Sequence, residues 1–357
     1  MKRVIVTGGA GFIGSALVRR LVKDTGYDVL NLDKLTYAGN LHSLREVEDS
    51  PRYRFARVDI ADAARVERIF SEFRPHAVVH LAAESHVDRS IEGPETFLHA
   101  NVVGTCTLLT EARRYWECLR GAAADEFRFH HVSTDEVFGE LGREGRFTEA
   151  SPYRPNSPYA ASKAAADHFV RAWSRTYGLP VVLSNCSNNY GPYQFPEKLI
   201  PLVIIKCLRR ETVPVYGKGE QVRDWLFVDD HVAALQLILE RGHPGESYNV
   251  GGASEWRNID IVHRLCDLLD RHCGGNGASH RGLIRFVDDR PGHDFRYAID
   301  FTKLEGTLGW RPRETLESGL ASTVRWYLDN RWWWDPILAR RYAGQRLGVV
   351  AGRQKAV

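Results

Sequence analysis

Short apolar runs alternate with amphipathic stretches through the first half of the chain. Strand-like runs fall at 3–7, 29–33, 53–58, 77–81 and 129–133, with helical patterns at 12–23, 61–73 and 94–119 between them. This alternation predicts an α/β fold, a doubly wound parallel sheet of the Rossmann type. A further helix is predicted from Ser157-Pro158-Tyr159 to Tyr177, with Pro158 in its first turn, where the missing N–H is not needed. Gly178-Leu179-Pro180 stops it, and Val181-Val182-Leu183-Ser184 reads as the next strand. After Asn189 the texture changes, and prolines and glycines become frequent: Gly191-Pro192, Pro196, Pro201, Pro214, Gly217 and Gly219. The expected organisation is a Rossmann domain over 1–189, a smaller C-terminal substrate-binding lobe over 190–340 and a tail over 341–357. Strand-like runs at 225–228 and 248–250 are expected to return to the main sheet. Gly274-Gly275-Asn276-Gly277 reads as a flexible loop, and 348–357 as a frayed end.

The first strand-like run feeds directly into Thr7-Gly8-Gly9-Ala10-Gly11-Phe12-Ile13-Gly14. Glycines in this strand–turn–helix setting suit a dinucleotide pyrophosphate. Gly8 allows the sharp turn, Gly11 a close approach of backbone to phosphate, and Gly14 close packing of helix on strand. The helix start then offers N–H groups and a positive dipole end to the anion. Asp33 closes the second apolar run about twenty residues later, where an acid would take the ribose hydroxyls. An acid there disfavours a 2′-phosphate, so NAD is expected rather than NADP. The proline-rich lobe is expected to close over this cofactor.

At 357 residues the chain can bury a full core. No apolar run approaches the roughly 20 residues of a membrane span, and the first residues run straight into a strand without a signal-peptide pattern. No membrane association is expected. The formal net charge of +3 argues against a dedicated nucleic-acid binder. Cys106, Cys118, Cys186, Cys207, Cys266 and Cys273 are scattered, with no C-x-x-C pair. Neither a disulfide framework nor a metal site is expected, and free thiols in a reducing, cytoplasmic setting are.

Tyr159 and Lys163 stand four apart, on one face of the predicted helix. A nearby ammonium is expected to lower the tyrosine pKa, so that Tyr159 could accept a proton from a substrate hydroxyl while hydride leaves the same carbon. Lys163 could also hold the nicotinamide ribose. Upstream, Ser133-Thr134-Asp135-Glu136 lies at the C-terminal end of a predicted parallel strand, the edge where open α/β sheets bind ligands. Thr134 could hydrogen-bond the hydroxyl that Tyr159 deprotonates. Hydride transfer alone does not need the adjacent acids Asp135 and Glu136. Elimination of water from a sugar needs one base and one acid, with the two pKa values pushed apart. Lys198 and Arg223 fall in the proline-rich lobe, where a diphosphate would need cations.

These stretches carry a resemblance. With Leu81-Ala82-Ala83-Glu84-Ser85-His86-Val87-Asp88-Arg89-Ser90, Asn188-Asn189-Tyr190-Gly191-Pro192-Tyr193, Pro196-Glu197-Lys198-Leu199-Ile200-Pro201 and Asp289-Arg290-Pro291-Gly292-His293-Asp294, the chain resembles the dTDP-glucose 4,6-dehydratases. These belong to the extended short-chain dehydrogenase/reductase superfamily, and the resemblance covers roughly residues 1–335. It implies conversion of dTDP-glucose to dTDP-4-keto-6-deoxyglucose with NAD regenerated in each cycle. Tyr159 would then be the base for C4 oxidation, supported by Lys163 and Thr134. Glu136 would take the C5 proton, and Asp135 would protonate the departing C6 hydroxyl.

The same resemblance gives Gly8, Gly11, Phe12, Ile13, Gly14, Asp33, Lys34 and Thr36 to the cofactor. It adds Asp59 and Ile60 at the adenine, and Leu81, Ala82, Ala83 and Ser85 at the inner half. Asn188, Lys198, Leu199, Pro214, Tyr216, Arg223, Asn258, Asp289, Arg290 and His293 would hold the substrate with Ser85 and Thr134. It also implies a homodimer in which helices 94–119 and 159–177 pair with their copies. The Trp326-Tyr327 and Trp332-Trp333-Trp334 cluster is expected to pack the C-terminal helix. The segment 113–127, with Gly121-Ala122-Ala123-Ala124-Asp125, has no assignment. Rival readings are a 4,6-dehydratase of UDP- or CDP-glucose, a nucleotide-sugar 4-epimerase, which has no need of the acid pair, and a non-catalytic NAD-binding sensor.

Overall fold

A computed structural model describes residues 2–272, 278–340 and 342. The expected loop at 274–277, the tail at 348–357 and Cys273 lie outside the described residues. Seven strands form the main sheet: β1 (Arg3–Thr7), β2 (Asp28–Asp33), β3 (Tyr53–Arg57), β4 (Ala77–His80), β5 (Arg128–Thr134), β6 (Val181–Cys186) and β10 (Ser247–Val250). Their order is β10-β6-β5-β4-β1-β2-β3, and every pairing is parallel. The centre is buried on both faces, so β4 reads as an unbroken buried run rather than an alternating one. Helices cover both sides. Phe70, Leu108 and Val170 pack on one face, and Leu17, Leu21, Val232 and Leu235 on the other.

The strand order turns back between β1 and β4. Ligands of open α/β sheets bind at the C-terminal ends of the strands at such a switch point. Two helix starts face that edge. Helix Phe12–Asp24 begins at Gly11 with no side-chain cap, so its first amides have no acceptor within the helix. Helix Pro158–Tyr177 is capped by Ser157, whose hydroxyl accepts from Ala160 N at 3.1 Å, and it ends at Gly178 with φ 75°.

The expected helix over 94–119 is not continuous. Helix Pro94–Phe97 passes through a π-helical turn, Leu98–Val103, into helix Gly104–Glu117. At that turn the Asn101 amide is drawn inward, donating to Ser162 Oγ at 2.8 Å and to Glu84 O at 2.9 Å. Such turns mark functional positions in helices. The unassigned segment contains a short helix, Ala122–Glu126.

Beyond β6 the smaller lobe has two further sheets. β7 (Asn188–Tyr190), β9 (Val222–Phe227) and β11 (Glu255–Arg257) form one; β8 (Val213–Tyr216) and β12 (Ile284–Val287) form the other. The run at 248–250 joins the main sheet as β10, but the run at 225–228 does not. It belongs to β9, which pairs parallel with β7 and antiparallel with β11. The apolar pattern of β9 marks burial, and burial in the lobe looks the same in sequence as burial in the main sheet. Helices Leu199–Leu208, Asn258–His272 and Leu316–Asp329 complete the lobe core. Trp333 and Trp334 are buried there. Trp334 Nε1 donates to Tyr327 O at 2.8 Å, and Trp333 Nε1 reaches across to Ser43 Oγ at 3.0 Å.

Candidate active site

Two cavities meet at the C-terminal edge of the main sheet. The first, about 300 Å³, is lined by Gly8, Gly11, Phe12, Ile13, Gly14, Asp33, Lys34, Thr36 and Ile60. Leu81, Ala82, Ala83, Ser85, Tyr159 and Lys163 continue the wall. Asp59 lies behind it, where its carboxylate accepts from Lys34 Nζ at 3.3 Å and Ala61 N at 3.0 Å.

The glycine turn fits a pyrophosphate. Gly8 has φ +70°, and a Cβ there would stand 2.7 Å from Ala82 N. A Cβ on Gly14 would stand 2.1 Å from Gly8 O. Asp33 closes β2 with both carboxylate oxygens engaged: Oδ2 accepts from Ala10 N at 3.0 Å and Oδ1 from Leu35 N at 2.8 Å. It therefore braces the glycine turn and the left-handed Leu35 (φ 58°) while keeping lone pairs for a ribose. Thr7 ties β1 to β4, its Oγ1 accepting from Leu81 N and Ala82 N, each at 3.2 Å. These features suit a dinucleotide, with the adenosine end toward Asp33 and the nicotinamide end toward Tyr159.

The second cavity, about 210 Å³, lies between the edge of the main sheet and the smaller sheets beyond β6. Ser85, Glu136, Asn188, Lys198, Leu199 and Pro214 line it, with Tyr216, Arg223, Asn258, Arg290 and His293. Asp289 stands outside the lining. It accepts from Gln221 Nε2 at 2.7 Å, His293 Nδ1 at 2.6 Å and Arg290 N at 2.8 Å, and so shapes the wall from behind. The three cations here are already held. Arg223 donates to the carbonyls of Val222 (2.8 Å) and Asp294 (3.0 Å), and its guanidinium lies over the Tyr297 ring. Arg290 pairs with Asp88 at 3.1 Å, and Lys198 donates to Ser85 O at 3.0 Å.

Glu136, Ser85, Asn188 and Lys198 line both cavities, so the acidic turn sits at their junction. Thr134 ends β5 and caps the turn Asp135–Phe138, accepting from Glu136 N at 3.3 Å. The two carboxyls differ. Burial, then the charges of Glu136 and Asp224, push Asp135 well above the usual carboxylate range. Burial also raises Glu136, but Arg290, Arg223 and Lys198 pull it back. Both carboxyls are thus raised within one turn, with more cations opposing the rise at Glu136 than at Asp135.

Tyr159 departs from expectation. Burial, with the charges of Glu136, Cys186 and Asp135, pushes its phenol well above the ordinary value; the Thr134 hydroxyl bonded to it opposes the rise. Lys163 does not lower it, because Lys163 Nζ is held on Val132 O at 2.9 Å. Burial lowers the pKa of Lys163, opposed by the charge of Asp167.

Three further groups escaped the sequence reading. Asn101 reaches Ser162, between Tyr159 and Lys163, from the π-helical turn. Glu197 is buried between the domains, accepting from Tyr37 OH at 2.8 Å and Arg89 Nε at 2.9 Å. Asp88 accepts from Tyr216 OH at 3.0 Å as well as from Arg290. Glu197 and Asp88 lie within the quoted Pro-Glu-Lys and Val-Asp-Arg runs, but only the tertiary fold names their partners.

The GDP-mannose 4,6 dehydratase family model matches residues 5–323. A probable dTDP-glucose 4,6-dehydratase of Sinorhizobium fredii is 60% identical over 349 residues, 98% of this chain and 99% of that one. A dTDP-glucose 4,6-dehydratase of Escherichia coli is 53% identical over 360 residues, again 98% and 99%. The crystal structure of DesIV, the dTDP-glucose 4,6-dehydratase of Streptomyces venezuelae, solved with NAD bound, superposes with a TM-score of 0.86 at 48% identity. It covers 94% of this chain and 99% of that one. The family model spans most of the chain and the named relatives match it along nearly their whole length, so the chain belongs to the dTDP-glucose 4,6-dehydratases of the GDP-mannose 4,6 dehydratase family.

Proposed function

We propose that this protein converts dTDP-glucose to dTDP-4-keto-6-deoxyglucose and water, as an NAD-dependent hydro-lyase. The observation that carries the reading is the Asp135–Glu136 pair, raised to different extents at the junction of the cofactor and lobe cavities. A 4-epimerase has no use for such a pair. NAD, when bound, takes hydride from C4 of the sugar and returns it to C6.

The chain's own groups do the rest. Tyr159 takes the C4 hydroxyl proton, with Thr134 orienting that hydroxyl and Lys163 holding the nicotinamide ribose. The 4-keto group acidifies C5–H, and Glu136 removes that proton. Asp135, whose acid form burial and the neighbouring carboxylates favour, protonates the departing C6 hydroxyl. Lys198, Arg223 and Arg290 set a positive wall for the diphosphate. A homodimer belongs to this reading. Leu98 and Val103 near one long helix, and Phe169 and Tyr177 on helix Pro158–Tyr177, are exposed apolar residues suited to a two-fold contact.

The test separates the bases. Glu136→Gln keeps the shape but loses the base, so bound NADH should accumulate with the 4-keto sugar while dehydration falls about 10²–10⁴-fold. Tyr159→Phe should form little NADH. In D₂O the wild type should place deuterium at C5. Near-normal dehydration by Glu136→Gln, or an unlabelled C5, overturns the assignment. Product masses from dTDP-, UDP- and CDP-glucose decide the nucleotide.

A further inference from the structure

Asp167 follows Lys163 by one helical turn and is fully buried, yet no step above uses it. A carboxylate without water is costly unless donors surround it. Here they do. Oδ1 accepts from His131 Nε2 at 3.0 Å; Oδ2 accepts from Ser133 Oγ at 2.8 Å, Tyr153 OH at 2.9 Å and, more distantly, Asn185 Nδ2 at 3.5 Å. Asn185 Nδ2 also donates to Thr134 O at 3.0 Å, and Lys163 Nζ to Val132 O at 2.9 Å. Four consecutive residues at the end of β5, 131 to 134, are thereby tied to the neighbourhood of this carboxylate. The acid turn begins at the next residue.

We propose that Asp167 is a positioning residue for the oxidation step: it locks the end of β5 against helix Pro158–Tyr177, so that Thr134 meets Tyr159 and Lys163 stays charged. This rests on the functional reading above. Asp167 lines neither cavity, so it acts only through others. Burial alone would raise its pKa, but the His131 hydrogen bond, the Lys163 charge and the Ser133 hydroxyl hold it below the usual carboxylate range; His131, itself lowered to about 4 by burial, serves at working pH as a neutral donor. It is therefore an anion at working pH, and its charge opposes the loss of the Lys163 proton.

The experiment compares holoenzymes of wild type and Asp167→Asn. A single amide oxygen cannot satisfy the same donors, and the NH₂ must face either His131 at the Oδ1 position or Ser133, Tyr153 and Asn185 at the Oδ2 position. NADH formation on adding dTDP-glucose should slow about 10- to 10²-fold, the usual cost of misplacing a reacting group, with KM and bound NAD within about threefold. The pH profile supplies a readout that loose packing alone would not move. Groups facing this site are Tyr159 and Lys163 on the helix, His131, Asp135 and Glu136 on β5 and its turn, His80 on β4, Cys186 on β6, and Tyr153 with Arg171. Loss of the Thr134 contact disfavours the Tyr159 phenolate, because the Thr134 hydroxyl is what opposes the rise in the Tyr159 pKa. The acid limb of the oxidation rate should therefore move to higher pH, by about half a unit or more.

An Asn variant with lowered melting temperature but an unmoved limb and a rate within twofold of wild type overturns the proposal. If that variant does not fold, Tyr153→Phe removes one donor and keeps the charge. It should slow NADH formation about threefold at unchanged KM, and an unchanged rate overturns the proposal. A wild type that forms no NADH with dTDP-, UDP- or CDP-glucose overturns the functional reading, and this proposal with it.

Discussion

Gly14→Ala tests the cofactor cradle without touching a polar group. The added Cβ would stand 2.1 Å from Gly8 O, 2.8 Å from Gly8 C and 2.9 Å from Gly9 Cα, all backbone atoms. Ordinary carbon–oxygen contacts begin near about 3.3 Å, so helix and turn must separate by roughly 1.2 Å. The turn has nowhere to retreat, because the opposite side of Gly8 already packs against Leu81 and Ala82. Overpacking of this kind costs about 1–3 kcal/mol, and the better helix propensity of alanine returns up to about 1 kcal/mol. With an unfolding entropy of roughly 0.75 kcal/mol/K for 357 residues, the net loss lowers Tm by about 1–3 °C.

The larger effect is on cofactor retention. A misplacement near 1 Å costs about 10²-fold in a positioned site, so at NAD equal to about 100 times the wild-type Kd the variant should be only about half loaded while wild type is nearly full. Wild type at 100 times Kd gains about 2.7 kcal/mol from the ligand, and the variant should lose most of that rise in Tm as well. NAD is released by denaturation and quantified per chain, beside a thermal melt. Gly26→Ala is the control, because nothing lies within 4 Å of its would-be Cβ. Wild-type NAD content with Tm within a degree of wild type would show that the cradle does not depend on this contact.

Light scattering at micromolar concentration should give twice the chain mass, and Leu98→Asp should shift the mass toward one chain; a wild-type monomer rejects the dimer. At the lobe surface, Asp270 is a stability sensor. Burial acts to raise it, but Ser279 Oγ (2.7 Å), His280 N (3.0 Å) and the His280 ring outweigh that and bring it down to about 2. A folded-state pKa below the unfolded value of about 3.9 means stabilisation present above about pH 4 and lost as pH falls through about 2. Asp270→Asn should therefore lower Tm at neutral pH and flatten its fall between about pH 4 and 2; an unchanged acid slope contradicts the pairing.

Much of the sheet was legible because parallel strands buried on both faces stand out as short apolar runs between amphipathic ones. The cofactor wall was legible for a related reason: glycine spacing and the acid at Asp33 are local signals. The partners of those residues were not. Asp33 braces Ala10 and Leu35, and Arg223 is held on lobe carbonyls. The π-helical turn that turns Asn101 inward left no break in the helical pattern. The pKa of Tyr159 went opposite to expectation because four-residue spacing gives a shared face, not the direction in which an ammonium points.

The chain does not finish the main sheet before starting the smaller ones. It leaves the main sheet after β6, returns with helix Val228–Arg241 and β10, leaves again through β11, and comes back with helix Thr302–Leu308 against β10 before helix Leu316–Asp329 packs into the lobe core. A lobe threaded in this way cannot be cut out and exchanged as a cassette, since each excision would sever strands of the partner. New sugar specificities in this architecture must therefore accumulate by substitution within the lobe walls, while recombination between relatives is confined to junctions that respect every crossing.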